Sequence, residues 1–277
     1  MAKCALLLLV ASAVACGGSA STPDAPGGPA DSSTAIDATP VDAFVPFIGW
    51  IYAHSNTELY RVDPRTLAVI DVGPFQWPTG MEQEFMTDLA VDQNGKLTGV
   101  SFGNVYAVDP ANAKATYLAP LSREFNGMSY VPASELGETG DDVLIGTALT
   151  DGSIWRVDPM TGASTMIGQY GNGWISSGDI VSVKGFGTVA TVNLNDPDAP
   201  DYLARIDLMN GGAATIIGPT GTYDIWGLGF WGGKVYGFEA TNELVQLDVQ
   251  TGTATTITKG PVNWWGAGVT TLAPIVP

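Results

Sequence analysis

The chain is 277 residues long, and 28 acidic residues against 11 basic ones give it a net charge of −17. This balance argues against a nucleic-acid partner, because phosphate contacts need clustered lysines and arginines. Only 14% of the residues are charged, while glycine, threonine, valine and the aromatic residues are plentiful. The composition predicts strands and turns, and the length suits one large domain or two small ones.

Residues 1–15 predict a secretory signal peptide. One lysine precedes an apolar run from Ala5 to Ala15, which is too short to span a bilayer, where about 20 residues are needed. The run ends in "AVAC" followed by "GG". This ending resembles the lipobox of bacterial lipoproteins, although Ala13 stands where leucine is usual. The resemblance implies that Cys16 carries lipid; an ordinary signal peptide that contains a cysteine is the alternative.

Residues 16–46 predict a flexible tether between this membrane anchor and a folded head. They are rich in Pro, Ala, Ser, Gly and Asp and nearly lack large apolar side chains, so they bury too little surface to offset their ordering entropy. The resemblance to lipoproteins implies the cell envelope, and Gly17 favours the outer membrane because it lacks the aspartate of inner-membrane retention. With Cys4 removed and Cys16 acylated, no thiol remains for a disulfide, a metal site or a nucleophile.

From residue 47 onward the sequence repeats. Five similar stretches, "LYRVDPRTL", "VYAVDPANA", "SIWRVDPMTG", "LARIDLMNG" and "LVQLDVQTG", place their aspartates 41 to 49 residues apart. The aspartates are Asp63, Asp109, Asp158, Asp207 and Asp248. Strand-like residues flank each one, so each stretch predicts a hairpin. In its turn the aspartate accepts a backbone hydrogen bond and a glycine takes a positive φ at the exit.

Upstream of each hairpin lies another pair of predicted strands, which makes a unit of four antiparallel strands in about 45 residues, the size of a propeller blade. The folded sequence starts at "GWIYAHSNTELYRVDP" without a first strand and finishes at "WWGAGVTTLAP" with a first strand that has no successor. Pairing these two ends closes a ring and removes two exposed sheet edges. The sequence therefore predicts an all-β fold, a five-bladed β-propeller over residues 47–277.

The pattern resembles the broad superfamily of repeat β-propellers, near the secreted types with "Y-x-V-D-x-x-T-G" hairpins. That superfamily includes enzymes, lectins and protein-binding scaffolds, so the resemblance implies an architecture and leaves function open. In such propellers ligands usually meet the face where the innermost strands begin, which we name the top face. The turns that carry the five repeated aspartates lie on the opposite, bottom face.

The predicted ligand-binding residues lie in the loops that lead into the innermost strands. They are Trp77, Asp88, Trp174, Asp179, Tyr223, Asp224, Trp226, Trp264 and Trp265. Aromatic faces beside carboxylates suit sugar rings and cationic groups. The alternative is that the tryptophans pack the channel and the gaps between blades, and that the aspartates cap loop amides. A ring of Asp88, Asp179 and Asp224 around a structural Ca²⁺ ion is a further alternative.

The sequence offers little catalytic chemistry. Its single histidine, His54, has no serine elbow motif beside it, and a histidine-rich metal site is excluded by count. We therefore predict a monomeric, non-catalytic binding or scaffold lipoprotein without a cofactor, whose ligand is a carbohydrate or an envelope protein. The alternative is a glycoside- or lactone-hydrolysing enzyme, with Asp224 as the acid and Asp88 or Asp179 opposite it.

Overall fold

The computed structural model describes residues 49–196 and 199–276. The predicted signal peptide, Cys16 and the predicted tether lie outside the described residues. Within the described part, no helix is long and apolar enough to cross a bilayer.

Twenty strands form five sheets of four antiparallel strands each, arranged as a five-bladed β-propeller. Strands are given from the innermost outward: the first blade contains β20 (Gly266–Gly268), β1 (Ile51–His54), β2 (Glu58–Val62) and β3 (Val69–Pro74), and the second contains β4 (Asp88–Val91), β5 (Leu97–Val100), β6 (Asn104–Val108) and β7 (Ala115–Pro120). The third blade contains β8 (Gly127–Val131), β9 (Val143–Thr147), β10 (Ser153–Val157) and β11 (Ser164–Gln169), and the fourth contains β12 (Ile175–Val183), β13 (Gly187–Asn193), β14 (Tyr202–Asp207) and β15 (Ala213–Pro219). The fifth blade contains β16 (Ile225–Trp231), β17 (Lys234–Glu239), β18 (Glu243–Leu247) and β19 (Ala254–Lys259). Two short 3₁₀ turns, Ala133–Leu136 and Leu208–Asn210, complete the described elements.

The ring closes as the sequence predicts. Strand β20, from the C-terminal end, pairs antiparallel with β1, and His54 lies opposite Gly266. The N-terminal blade thus receives its innermost strand from the other end of the chain. The predicted five-bladed, four-stranded architecture is confirmed.

Burial along the strands follows their position in the blade. Strands β4 and β5 are buried at every residue, because neighbouring blades cover both faces of the sheet near the axis. The outermost strand β3 instead alternates between exposed and half-buried residues. The apolar core lies between blades: one cluster joins Ile51 and Val62 of the first blade to Phe230 and Phe238 of the last.

A β-bulge recurs in every blade, three residues before the repeated aspartate. The register between the third and fourth strands shifts after Leu59, Val105, Ile154, Leu203 and Leu244. Each shift leaves one extra aliphatic residue on the outermost strand, and these residues, Val72, Leu118, Ile167, Ile217 and Ile257, all pack against the interblade core. The bulge thus adds twist to the edge strand while turning an apolar side chain inward.

The repeated aspartates form the predicted turns on the bottom face. Asp63, Asp109, Asp158 and Asp248 each accept a hydrogen bond from the amide two residues on, at 2.7 to 2.9 Å. Asp207 accepts from the amide three residues on, at 3.1 Å, and caps a 3₁₀ turn. Gly162 and Gly252 take the positive φ at the exit, whereas Leu67 and Ala113 adopt the same conformation without being glycine.

Candidate functional site

The centre of the ring is built from one residue of each innermost strand. We name this set the central column: Asp88, Gly127, Asp179, Gly227 and Gly266. A Cβ on Gly127 would lie 2.7 Å from the Cα of Asp179, and one on Gly227 would lie 2.7 Å from the amide nitrogen of Ala267. The five strands therefore approach one another backbone to backbone, and only glycine fits at three of the five positions.

The two carboxyl groups of the central column hold the inward edges of these strands together. Asp88 accepts hydrogen bonds from the amides of Leu89, at 2.7 Å, and Met128, at 2.5 Å. Asp179 does the same with Ile180 and Leu228, both at 2.6 Å. Each aspartate thus bridges its own strand and the innermost strand of the next blade. Four inward-facing amides that would otherwise lack partners are satisfied by four carboxyl oxygens.

These aspartates are isolated from water, and both side chains are 0% exposed. Burial raises the pKa of Asp88 and of Asp179 well above the usual range, and the adjacent Asp179 carboxyl raises that of Asp88 further. The backbone hydrogen bonds oppose this effect without cancelling it. The two neighbouring carboxyl groups therefore take up a proton more readily than an isolated, exposed aspartate would.

His54 lies beside the central column on the same level. Its Nδ1 donates to the carbonyl of Ser55 at 2.8 Å, while its buried Nε2 has no hydrogen-bond partner. A Cβ on Gly266 would clash with this Nε2 and with Oδ1 of Asp88. Burial lowers the pKa of His54 to about 4, so the imidazole is neutral at pH 7.

Three aromatic side chains from three successive blades meet on the top face. The rings of Trp226 and Trp265 lie 5.7 Å apart at 89°, and those of Trp265 and Phe85 lie 5.8 Å apart at 60°. We name Phe85, Trp265 and Trp226 the aromatic ridge. Both tryptophans are half-buried and Phe85 is 48% exposed, so the ridge offers ring surface to a ligand.

The other predicted tryptophans pack against aromatic side chains of the blades, and Trp264 does so between the first blade and the last. Trp264 is 3% exposed and packs edge-on against Tyr60 and Phe238. Trp77 and Trp174 are half-buried, and they contact Phe75 and Tyr106 and, separately, Tyr202.

Tyr223 and Asp224 are exposed and directly precede β16. Asp224 has a φ of 55°, and its carbonyl accepts a hydrogen bond from the amide of Ala240 at 3.0 Å. An aspartate tolerates this left-handed conformation better than most residues do. Asp224 is exposed and lies two residues before Trp226 in the sequence.

Two further acids, Asp201 and Glu239, are buried near the start of β16. Asp201 is 3% exposed and accepts a hydrogen bond from the amide of Ile225 at 3.0 Å. Burial raises the pKa of Asp201 to about 6, and the carboxylates of Asp224 and Glu239 add to this effect. Glu239 is also 3% exposed; one of its oxygens accepts from Thr241, and the other has no partner. Asp201 thus fixes the start of β16, as Asp179 fixes its centre.

A groove of about 290 Å³ lies at the other end of the aromatic ridge. The loop into β4 and the turn between β5 and β6 line it with Gln83, Glu84, Phe85, Ser101, Phe102 and Gly103. Sequence reasoning missed Phe85 and Phe102. The available signal was a phenylalanine in the tight turn "SFGN", where an apolar side chain has no core to enter.

Within residues 49–196 and 199–276, no three His, Cys, Asp or Glu side chains are grouped so that they could hold a metal ion. The predicted triad of Asp88, Asp179 and Asp224 is divided between the buried centre and the exposed loop.

The sequence matches no protein-family model and no curated protein sequence. In its backbone the chain is similar to a chain in the crystal structure of a nidogen/laminin complex, with a TM-score of 0.51. The alignment covers 83% of this chain and 100% of that chain, at 10% sequence identity. At this identity the similarity concerns the fold alone.

Proposed function

We propose that this chain is a non-catalytic binding or scaffold module that engages a protein partner through the top face of its propeller. The observation that carries the proposal is the aromatic ridge. Rings from three blades contact one another there, and Phe85 keeps 48% of its surface exposed. Aromatic side chains are enriched at protein interfaces because they supply a large contact area with few rotatable bonds.

Two further observations favour binding over catalysis. Hydrolysis of a glycoside needs two carboxyl groups that the substrate can reach. Asp88 and Asp179 are 0% exposed, and their oxygens accept four backbone hydrogen bonds. Asp224 is exposed, but Asp201, its acidic neighbour, is 3% exposed and bonded to the backbone of β16. These contacts assign the buried acids to the architecture of the ring.

A protein ligand is favoured over a carbohydrate by the complex in which the similar fold occurs, since the nidogen/laminin structure is a protein–protein complex by its title. A carbohydrate is the second candidate, because the exposed Asp224 lies two residues before Trp226 in sequence and could bond to hydroxyl groups while a sugar ring stacks on Trp226.

Site-specific photocrosslinking in the producing cells tests the proposal. A benzoylphenylalanine at position 85 places the reactive group on the ridge, and one at position 160 places it on the bottom face, where Met160 is 61% exposed. We expect a discrete crosslinked protein from position 85 that is absent from position 160. The paired change Trp226→Ala and Trp265→Ala should remove it. Equal crosslinking from both faces would overturn the proposal.

A glycan array separates the two ligand classes. Binding of the purified chain to a glycan, lost on Trp265→Ala and kept on Met160→Ala, would replace the protein ligand by a carbohydrate. Absence of glycan binding together with a ridge-specific crosslink is the result we expect.

We further propose that the propeller is held at a membrane by lipid on Cys16 after removal of residues 1–15. The support is the sequence "AVACGG" and the polar stretch that follows it. Cys16→Ser should move the protein from the membrane fraction to the soluble fraction. A Cys16→Ser protein that stays with the membrane would contradict the anchor.

A further inference from the structure

The groove at the end of the aromatic ridge combines two exposed rings with a carboxylate. Phe85 is 48% and Phe102 is 53% exposed, and both line the groove together with Glu84. Neither phenylalanine is needed to fill the core, because each projects from a loop on the top face. Two exposed rings beside one cavity are a cost to solubility unless something covers them.

The charge of the groove is not balanced within the chain. One oxygen of Glu84 accepts a hydrogen bond from Asn104 at 2.6 Å. Its other oxygen is buried and interacts with the hydroxyl of Tyr106. The ion pairs of Arg156 with Glu138 and of Lys259 with Glu243 do not involve Glu84. A cation in the groove would therefore lie beside a carboxylate whose partners, Asn104 and Tyr106, are neutral.

A lysine or arginine side chain would suit both the exposed phenylalanine rings and the Glu84 carboxylate. Its aliphatic stem packs on apolar surface, its charged group lies favourably over aromatic faces, and its N–H groups donate to a carboxylate. A neutral sugar would use the rings and leave the charge of Glu84 uncompensated. The net charge of −17 also favours approach of a basic surface.

We infer that the groove lined by Glu84, Phe85 and Phe102 takes a lysine or arginine side chain of a protein partner. The inference rests on the proposed function and specifies it: the partner presents a basic residue beside the apolar surface that covers the aromatic ridge. The groove fixes the orientation of the partner, because it lies at the Phe85 end of the ridge and Trp226 forms the other end.

The test uses N-acetyl-arginine methylamide as the probe and N-acetyl-citrulline methylamide as its neutral isostere, titrated into the ¹⁵N-labelled full chain with Cys16→Ser. We expect the arginine probe to shift the amide resonances of Phe102 and Gly103, with a Kd on the order of 1 mM. The citrulline probe should bind at least about tenfold more weakly. Glu84→Gln, which keeps the size of the side chain and an oxygen for Asn104, should abolish the preference for arginine.

Glu138→Gln is the matched control, because it removes a half-exposed carboxylate at a distant ion pair and should leave the titration unchanged. Equal shifts by arginine and citrulline, or an arginine preference that survives Glu84→Gln, would overturn the inference. So would an oligosaccharide that shifts the same resonances more strongly. If Glu84→Gln lost arginine binding while no ridge-specific crosslink existed, the groove would stand and the proposed protein-binding function would fail. If the crosslink persisted without any arginine preference, only the groove would fail.

Discussion

Aspartate performs the same task in two contrasting regions of this propeller. In the bottom-face turns, Asp158 accepts a hydrogen bond from the amide of Met160 at 2.8 Å in contact with water. In the central column, Asp179 accepts from Ile180 and Leu228 with no exposed surface. Hydrogen bonds, chiefly from the Thr161 hydroxyl, lower the pKa of Asp158, whereas burial raises that of Asp179. Access to water therefore decides the direction in which the pKa of each carboxyl shifts.

The two kinds of aspartate also differ in how much of the fold they stabilise. An Asp158 turn stabilises one hairpin, and its loss exposes amides that water can satisfy. The central aspartates bridge neighbouring blades, so their loss leaves buried amides without partners in the middle of the ring.

The largest expected effect is that of Asp179→Ala. This change leaves the amides of Ile180 and Leu228 unsatisfied in a site without water, and we expect the free energy of unfolding to fall by about 3 kcal/mol. Urea denaturation followed by tryptophan fluorescence measures it. Asp158→Ala is the matched control and should cost less than about 1 kcal/mol. Equal losses for the two variants would show that the contrast between the two regions is wrong.

A smaller effect is expected from pH, because it arises only from the raised pKa values of the two central aspartates. The pKa values of Asp88 and Asp179 are raised in the folded chain, so the folded state binds more protons than the unfolded state above about pH 4. Their contribution to stability is therefore complete below about pH 4 and is lost as pH rises toward the folded pKa values. We expect the chain to resist urea better at pH 5 than at pH 8.

Acidification also neutralises other carboxylates and so reduces repulsion across the whole chain. Asp88→Asn separates the contribution of the central pair from this general change. The amide side chain does not titrate. Its NH2 group cannot accept one of the two backbone hydrogen bonds that the Asp88 carboxyl receives, so the variant is compared by its change in stability with pH. The gain in stability between pH 8 and pH 5 should therefore be smaller in Asp88→Asn than in the unchanged chain. An identical gain in both would mean that the central pair does not contribute to it.

Much of the architecture could be predicted from the sequence, because it is encoded in local chemistry that repeats. The aspartates at 63, 109, 158, 207 and 248 mark the hairpins, and the incomplete units at the two ends predict the closure of β20 onto β1. The recurring bulge could not be predicted in this way. It depends on the fit of Val72 and its four counterparts into a core formed by a neighbouring blade.

The candidate site was predicted less well than the fold. The sequence placed Trp226, Trp265 and Asp224 on the top face, yet it gave Asp88 and Asp179 the same weight as Asp224. Their different surroundings arise because Asp88 and Asp179 lie within innermost strands, where a glycine of a neighbouring strand approaches each of them closely, whereas Asp224 sits one residue before β16. Phe85 and Phe102 carried no periodic signal at all, since loop residues follow no repeat.

By itself, therefore, the sequence determined the number of blades, the turns and the closure of the ring, because hydrogen-bonding turns and strand patterns act between residues close along the chain. Only the tertiary structure decided which acids lie in water and which lie at the axis, and which rings meet on the top face. Those outcomes depend on how closely five separate strands approach one another, and residues 40 or more positions apart set that distance.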